Sequence, residues 1–367
     1  MRTPFTCVLL QAVILAGQSP AAPTPPFPVE LLTPAQRFSR TAAGDSQGPQ
    51  LSGDGRFVAF QSDAPNLVIN TPPLPRLGVF LHDRSSRTTR LASLTPSGHA
   101  AAGASRLADI SHDGAWLLFV SDAPDLLPGD SNDTDDIFLR DIPGGRTLLV
   151  SAATSGGTGD GESRNASLSP DGRFVVFESD AANLVPDDTN GVSDVFQYEV
   201  GTGTLRRLST PSTDPEIARR PTGPSASPVI SDDGSTIAFR SEALNLAPPV
   251  RAGAAWLTNN LYVRRGTEPT NRMVNPFADV LLPLPPRLVL DNRGYQLSAD
   301  GRFLLTTLAS SAPDRIGDGL YHVDLDTGER RRLVAGPGWT AGADDADGPM
   351  PALHRDGRMV VWEANSD

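Results

Sequence analysis

The sequence predicts an all-β chain of repeated four-stranded antiparallel units, and three observations predict it. One phrase recurs six times, reading Ser-x-Asp-Gly and then an apolar burst, with His in place of Ser in the last copy. Its Asp stands at 54, 113, 171, 233, 300 and 356, so the spacing is 59, 58, 62, 67 and 56 residues. After residue 30 the chain shows no helical periodicity. Self-similarity at a near-constant period marks a repeat architecture and outranks any local motif.

The elements follow in order from the phrase. Examples are Ser52-Gly-Asp-Gly-Arg-Phe-Val-Ala-Phe60, Ser111-His-Asp-Gly-Ala-Trp-Leu-Leu-Phe119 and Ser169-Pro-Asp-Gly-Arg-Phe-Val-Val-Phe177. Asp-Gly between two apolar stretches is a hairpin signal, because the turn needs positive φ and glycine supplies it. In the third repeat Arg164–Ser169 and Arg173–Ser179 are the strands on either side of that turn. A polar loop, 187–194, leads to a third strand at Val195–Val200, and the turn Gly201-Thr-Gly203 to a fourth at Thr204–Ser209. The second repeat has the same plan, with Trp116–Val120, Asp136–Asp141 and Thr147–Ser151. One such meander cannot bury both faces alone, so the units must stack. Six of them fit a six-bladed β-propeller; a β-helix has shorter coils, and a sandwich would not repeat its sequence.

The sixth repeat supplies only two strands before Asp367. Val29-Glu-Leu-Leu-Thr33 resembles the fourth-strand phrase Leu91-Ala-Ser-Leu-Thr95 and is expected to close the last blade as its outer strand. The last blade is then one strand short, or the sequence is a truncated reading of a longer protein. Residues 1–21 read as a signal peptide, with Arg2, an apolar run at 7–17 and Ser19-Pro-Ala21 as the cleavage box. That run is too short for a membrane span. Residues 22–28 read as a proline-rich tether and 29–367 as the propeller. Cys7 is the one cysteine and lies in the signal, so no disulfide framework is expected. The net charge of −12 argues against nucleic acid or an anionic membrane as partner.

Three phrases carry a family resemblance. They are Ser-x-Asp-Gly-Arg-Phe-Val-x-Phe, then Ser62-Asp-Ala-Pro-Asn-Leu-Val68, then Asp188-Thr-Asn-Gly-Val-Ser-Asp-Val-Phe196. Together they resemble the TolB-type, WD40-like propeller repeat of bacterial exported proteins, over roughly residues 45–367. TolB carries an α/β domain before its propeller, and nothing like it is read here. The resemblance implies a periplasmic or secreted six-bladed propeller that binds a partner it does not name. It also implies relatives in which the propeller is joined to a peptidase.

Two constellations carry chemistry. Seven residues before each Asp-Gly, where the innermost strand begins, stand Gln47, Arg106, Arg164 and Arg293, with Ala226 and Pro349 at the other two places. Guanidinium groups converging on a channel mouth would bind an anionic group, a carboxylate above all. The competing reading pairs them with the Ser-Asp-Ala carboxylates of neighbouring blades, Asp63, Asp122 and Asp180 or their counterpart Glu242. The second constellation is the acidic loops. Asp130, Asn132 and Asp136 match Asp188, Asn190 and Asp194 in spacing. Alternating oxygen ligands suit calcium, while Asp and Asn in such places also form side-chain-to-backbone turns. Calcium is thus the one candidate cofactor. The five histidines fall at unrelated repeat positions, and no nucleophile constellation is read. The functional expectation is a non-catalytic, monomeric scaffold for a protein or peptide bearing an anionic group. The alternative is a propeller enzyme or substrate-gating domain acting on peptide or sugar through the channel.

Overall fold

The computed structural model describes residues 9–14, 43–68, 76–130, 132–220, 222–248, 259–266, 268, 270–274, 290–310, 319–335 and 351–364. Among these the chain is all-β apart from one helical turn, Pro215–Ala218, capped by the Asp214 carboxylate. Five sheets are four-stranded antiparallel meanders in chain order. The first is Ser46–Leu51, Phe57–Ser62, Gly78–Asp83 and Thr88–Leu91. The second is Ser105–Ile110, Trp116–Ser121, Asp136–Asp141 and Arg146–Leu149. The third is Ser163–Leu168, Phe174–Ser179, Asp194–Glu199 and Thr204–Arg207. The fourth is Ser225–Ile230, Thr236–Ser241, Asn260–Arg265 and Arg272–Met273. The fifth is Leu290–Leu297, Phe303–Ser310, Gly319–Asp324 and Arg330–Ala335.

A sixth sheet has three described strands, with Met359–Ala364 between Ala352–Leu353 and Leu9–Ile14. Its N-terminal partner therefore comes from the stretch read as a signal's apolar run. Val29–Thr33, expected in that place, lies outside the described residues. The chain divides into two compact units. One holds the first three sheets and Ser225–Pro228; the other holds the rest of the fourth sheet, the fifth and the sixth.

The Ser-x-Asp-Gly phrase builds its turn the same way each time. In the first copy Ser52 Oγ donates to Asp54 Oδ1 at 2.7 Å, and the same carboxylate takes the Arg56 amide at 2.9 Å. The Phe57 amide then donates back to Ser52 Oγ at 2.9 Å. The copies at Ser111, Ser169, Ser231 and Ser298 repeat this set. Glycine is required at the fourth position for two reasons. Gly172 has φ +72°, and a Cβ there would lie 2.5 Å from Trp116 of the preceding sheet. Gly114 meets Phe57 likewise. The turns are also joined from sheet to sheet, with the Gly53 amide donating to His112 O at 2.8 Å and the His112 amide to Pro170 O at 2.7 Å. In the other unit the Ala299 amide reaches Arg355 O at 2.8 Å.

The core lies between sheets. The second strand of each repeat sends alternate residues to opposite faces. Leu117 and Phe119 join Ala59, Val79 and Leu81 of the first sheet, while Leu118 faces Val175 and Phe177 of the third. Each of the first four sheets is pinned across its two middle strands by a stacked aromatic pair. Phe60–Phe80, Phe119–Phe138 and Phe177–Phe196 each have centroids 5.6 Å apart, and Phe239–Tyr262 are 5.8 Å apart. Such cross-strand pairs contribute about 0.5–1.5 kcal/mol beyond area burial.

Candidate functional site

The start of the inner strands is where the sequence places its cationic residues. Each of the first four inner strands is preceded by Gly-x-Ser, as in Gly103-Ala-Ser105 and Gly161-Glu-Ser163. Glycine is needed because the backbones approach closely; a Cβ on Gly103 would lie 2.3 Å from Asp122 Oδ1 and 2.6 Å from Ala123 Cα. The Ser-Asp-Ala group closes over this point. Ser121 Oγ donates to Ala104 O at 2.8 Å, and Asp122 Oδ1 accepts the Ala104 amide at 2.6 Å. Asp63 holds the Asp45 amide in the same way at 2.7 Å.

Arg106 is fastened to Asp135, not to Asp122. Its Nη1 donates to both carboxylate oxygens of Asp135 at 3.0 and 2.9 Å. The pair is open to water, with side chains 48% and 22% exposed. Asp135 also accepts the Ser163 amide on its carbonyl at 2.8 Å, so it joins the inner strands that carry Arg106 and Arg164. Arg164 has a denser set of partners. Nε pairs with Glu178 at 2.6 Å, and Nη1 with Asp180 at 2.8 Å and Glu162 at 3.5 Å. The hydrogen bond to Asp180 raises the Arg164 pKa and lowers that of Asp180. Gln47 is exposed and sits opposite Gln61 in the first sheet. Arg293 lies on the strand Leu290–Leu297, at its irregularity between Asn292 and Gly294, and its side chain is outside the described residues.

Sequence reading missed Gln61 and Glu178. They share one register, the residue after Phe60 and after Phe177. Gln61 Oε1 accepts the Leu107 amide at 2.9 Å, and Glu178 Oε2 accepts the Ser227 amide at 2.6 Å. Each thus reaches an inner strand of another sheet. The Glu178 side chain is 3% exposed. The available signal was a polar residue inside an otherwise apolar strand, Phe-Val-Ala-Phe-Gln and Phe-Val-Val-Phe-Glu.

The two acidic loops have the same frame and different charge balance. Asn132 Nδ2 donates to Asp136 Oδ2 at 3.0 Å, and Asn190 Nδ2 to Asp194 Oδ2 at 2.7 Å. Ser151 Oγ donates to Asp136 Oδ1 at 2.6 Å, and Ser209 Oγ to Asp194 Oδ1 at 2.5 Å. In the third sheet Arg207 adds a cation. Its Nη1 lies 2.8 Å from Asp188 and 3.2 Å from Asp194, and its Nη2 donates to Asp187 O at 3.0 Å. Leu149 holds the same register in the second sheet, opposite Phe138 as Arg207 is opposite Phe196. Burial pushes the Asp136 carboxyl up to about 6, opposed by its Ser151 and Asn132 hydrogen bonds and aided by Asp130 and Asp135; burial raises Asp194 as well, opposed by Ser209, Arg207 and Asn190. Calcium at Asp188, Asn190 and Asp194 would have to displace a guanidinium. At Asp136 both carboxylate oxygens already accept protein donors. Among the described residues no three His, Cys, Asp or Glu side chains are grouped as a metal site.

No protein-family model matches the chain, and no curated protein matches it. Solved structures do. TolB from Acinetobacter baumannii is 18% identical over 81% of this chain, with a TM-score of 0.39, and the chain spans 60% of its length. The β-propeller domain of the Trilobed protease from Pyrococcus furiosus is 13% identical over 79% of this chain and 69% of its own, with a TM-score of 0.41. A puromycin-hydrolysing peptidase from Mycobacterium tuberculosis is 17% identical over 93% of this chain and 46% of its own, with a TM-score of 0.46. The chain resembles the TolB-type, WD40-like propeller repeat family.

Proposed function

We propose that the chain is a six-bladed propeller, exported to the periplasm or beyond, that acts as a monomeric, non-catalytic scaffold for a protein or peptide presenting a carboxylate. Arg106 carries this reading. Its only described partner is the half-open Asp135, and an exposed ion pair is worth about 0–1 kcal/mol, so a ligand carboxylate can replace Asp135 at little cost. Gln47 holds the equivalent register on its own strand and extends the proposed surface, and Arg293 holds that register in the other unit. Arg164 is assigned a structural part, because three carboxylates already hold it. Among the described residues no helix is long and apolar enough to cross a membrane.

The test is fluorescence anisotropy with a labelled acidic peptide ending in a free carboxylate. Binding should weaken with salt and fall about tenfold in Arg106→Ala, the worth of one charge-assisted pair. Amidation of the peptide terminus without effect would remove the carboxylate from the reading. Turnover of a peptide or oligosaccharide substrate by the purified chain would replace the scaffold with the enzyme alternative.

A further inference from the structure

The fifth sheet and the Asp-Gly turn of the sixth line a cleft of about 280 Å³, and every lining residue belongs to the unit that holds those two sheets. Its size is near the lower end of small-molecule sites. Register builds its floor. Phe303 is paired with Asp324 and His322 with Arg331, so these four residues stand on one face of the fifth sheet. The Phe303 and His322 rings are stacked with centroids 5.0 Å apart. Gly357 sets the sixth sheet's turn against that face, with φ +71° and no room for a Cβ, which would lie 2.3 Å from Phe303. His322 Nε2 donates to Gly357 O at 2.8 Å and pins the turn there. Arg358 follows Gly357 and lines the cleft opposite Glu329 and Arg331 of the fifth sheet.

Three charged side chains in this cleft are uncommitted. Among the described residues, those of Glu329, Arg331 and Arg358 make no hydrogen bond and no ion pair. Asp356 feels the Arg358 charge, but its carboxylate already accepts the Arg358 amide at 2.9 Å and lies 2.8 Å from His354 Nδ1. Asp324, the other acid of the lining, is held by Arg302 at 2.7 Å and by the Asp326 and Thr327 amides. One sheet earlier the places of Arg331 and Arg358 are taken by Arg272 and Arg302. Both of those are engaged, Arg272 with Leu325 O at 2.7 Å and Arg302 with Asp324. The fifth sheet thus keeps the two arginines of this register and leaves them open, with one carboxylate beside them.

We propose that this cleft binds a free α-amino acid with an apolar side chain, its carboxylate between Arg331 and Arg358, its ammonium on Glu329 and its side chain over the Phe303–His322 floor. Two open guanidiniums and one open carboxylate are matched by a ligand that carries an anion and a cation a few ångströms apart. A guanidinium fork takes a carboxylate through two parallel hydrogen bonds, and the aromatic floor adds the burial of the ligand's methylenes. Arg106 belongs to the other unit, and the proposal does not rest on the scaffold reading.

The experiment is saturation-transfer NMR on the full chain with three probes of one carbon skeleton. They are leucine, 4-methylpentanoate, which lacks the ammonium, and 3-methylbutylamine, which lacks the carboxylate. Leucine should bind saturably and outcompete both others, each lost charge weakening binding about tenfold. Arg331→Gln and Arg358→Gln should each weaken leucine about tenfold at unchanged melting temperature, since both side chains are exposed. Glu329→Gln should weaken leucine by a similar factor and leave 4-methylpentanoate unharmed, a split that a merely structural role would not produce. Arg106→Ala should leave leucine binding intact. Four results would each overturn the assignment: no saturable leucine binding up to about 10 mM, 4-methylpentanoate binding as tightly as leucine, full leucine affinity in both arginine variants, or full leucine affinity in Glu329→Gln. Loss of leucine binding in Arg106→Ala would move the observed site to the inner strands and overturn it too.

Discussion

Replacing Leu149 by arginine should make the second sheet's acidic loop behave like the third's. Leu149 stands where Arg207 stands, thirteen residues after the buried aspartate. Asp136 is fully buried and its carboxyl is raised to about 6. A free aspartate titrates near 3.9, so the folded pKa exceeds the unfolded one by about 2 units, or about 3 kcal/mol. The sign follows from that order. The raised group favours the folded state fully below about pH 4, and the contribution is lost as pH rises through about 6. Wild-type stability should therefore fall between about pH 4 and 7 by up to about 3 kcal/mol from this group. The introduced guanidinium would lower the Asp136 pKa and flatten that slope in part, as Arg207 opposes but does not abolish the upward push of burial on Asp194. Leu149 packs at the margin of the core between the first two sheets, so the exchange costs about 1 kcal/mol of apolar burial. Calorimetric melting of both proteins across pH 4–8 reads the difference directly, because all other titrating groups are shared. Equal slopes in wild type and Leu149→Arg would refute the reasoning.

Other outcomes follow from the same geometry. Gly172→Ala should destabilise by about 2–4 kcal/mol in a denaturant melt, from positive φ and collision with Trp116; a loss under about 0.5 kcal/mol counts against the close packing of neighbouring sheets. Millimolar Ca²⁺ should raise the melting temperature of Arg207→Ala more than that of wild type, since only the variant leaves Asp188 and Asp194 without their cation. Identical shifts would mean that the guanidinium does not stand in for a metal. If residues 1–21 are a signal, N-terminal sequencing of the exported protein should begin at Ala22, and a chain starting there should melt with the full one. A marked loss would instead assign Leu9–Ile14 a lasting place beside Met359–Ala364.

Much of the fold is local and therefore legible. Ser-x-Asp-Gly closes its turn with atoms two to five residues apart, so its five copies, with the His354-x-Asp-Gly variant, announce six hairpins. Strand limits fall within one or two residues of expectation; the third repeat's inner strand is Ser163–Leu168 against an expected Arg164–Ser169. The site was less legible because its partners come from other strands. Arg106 takes Asp135 while Asp122 faces the Ala104 amide and Arg76, whereas Arg164 does take Asp180. Neither choice can be read from the repeat, in which the two arginines are equivalent. The contrast between Leu149 and Arg207 likewise acquires meaning only once register sets each beside a buried aspartate. Gln61 and Glu178 act across sheets, a contact with no sequence period of its own.

The proposed surface at Arg106 is tested most directly by reversing its ion pair. Arg106→Asp with Asp135→Arg keeps the attraction between the same two positions and exchanges their charges. The account predicts an unchanged melting temperature, loss of the acidic peptide by at least about tenfold in anisotropy, and recovery of binding by a peptide of opposite charge. Retention of the acidic peptide by the folded, reversed protein would contradict it.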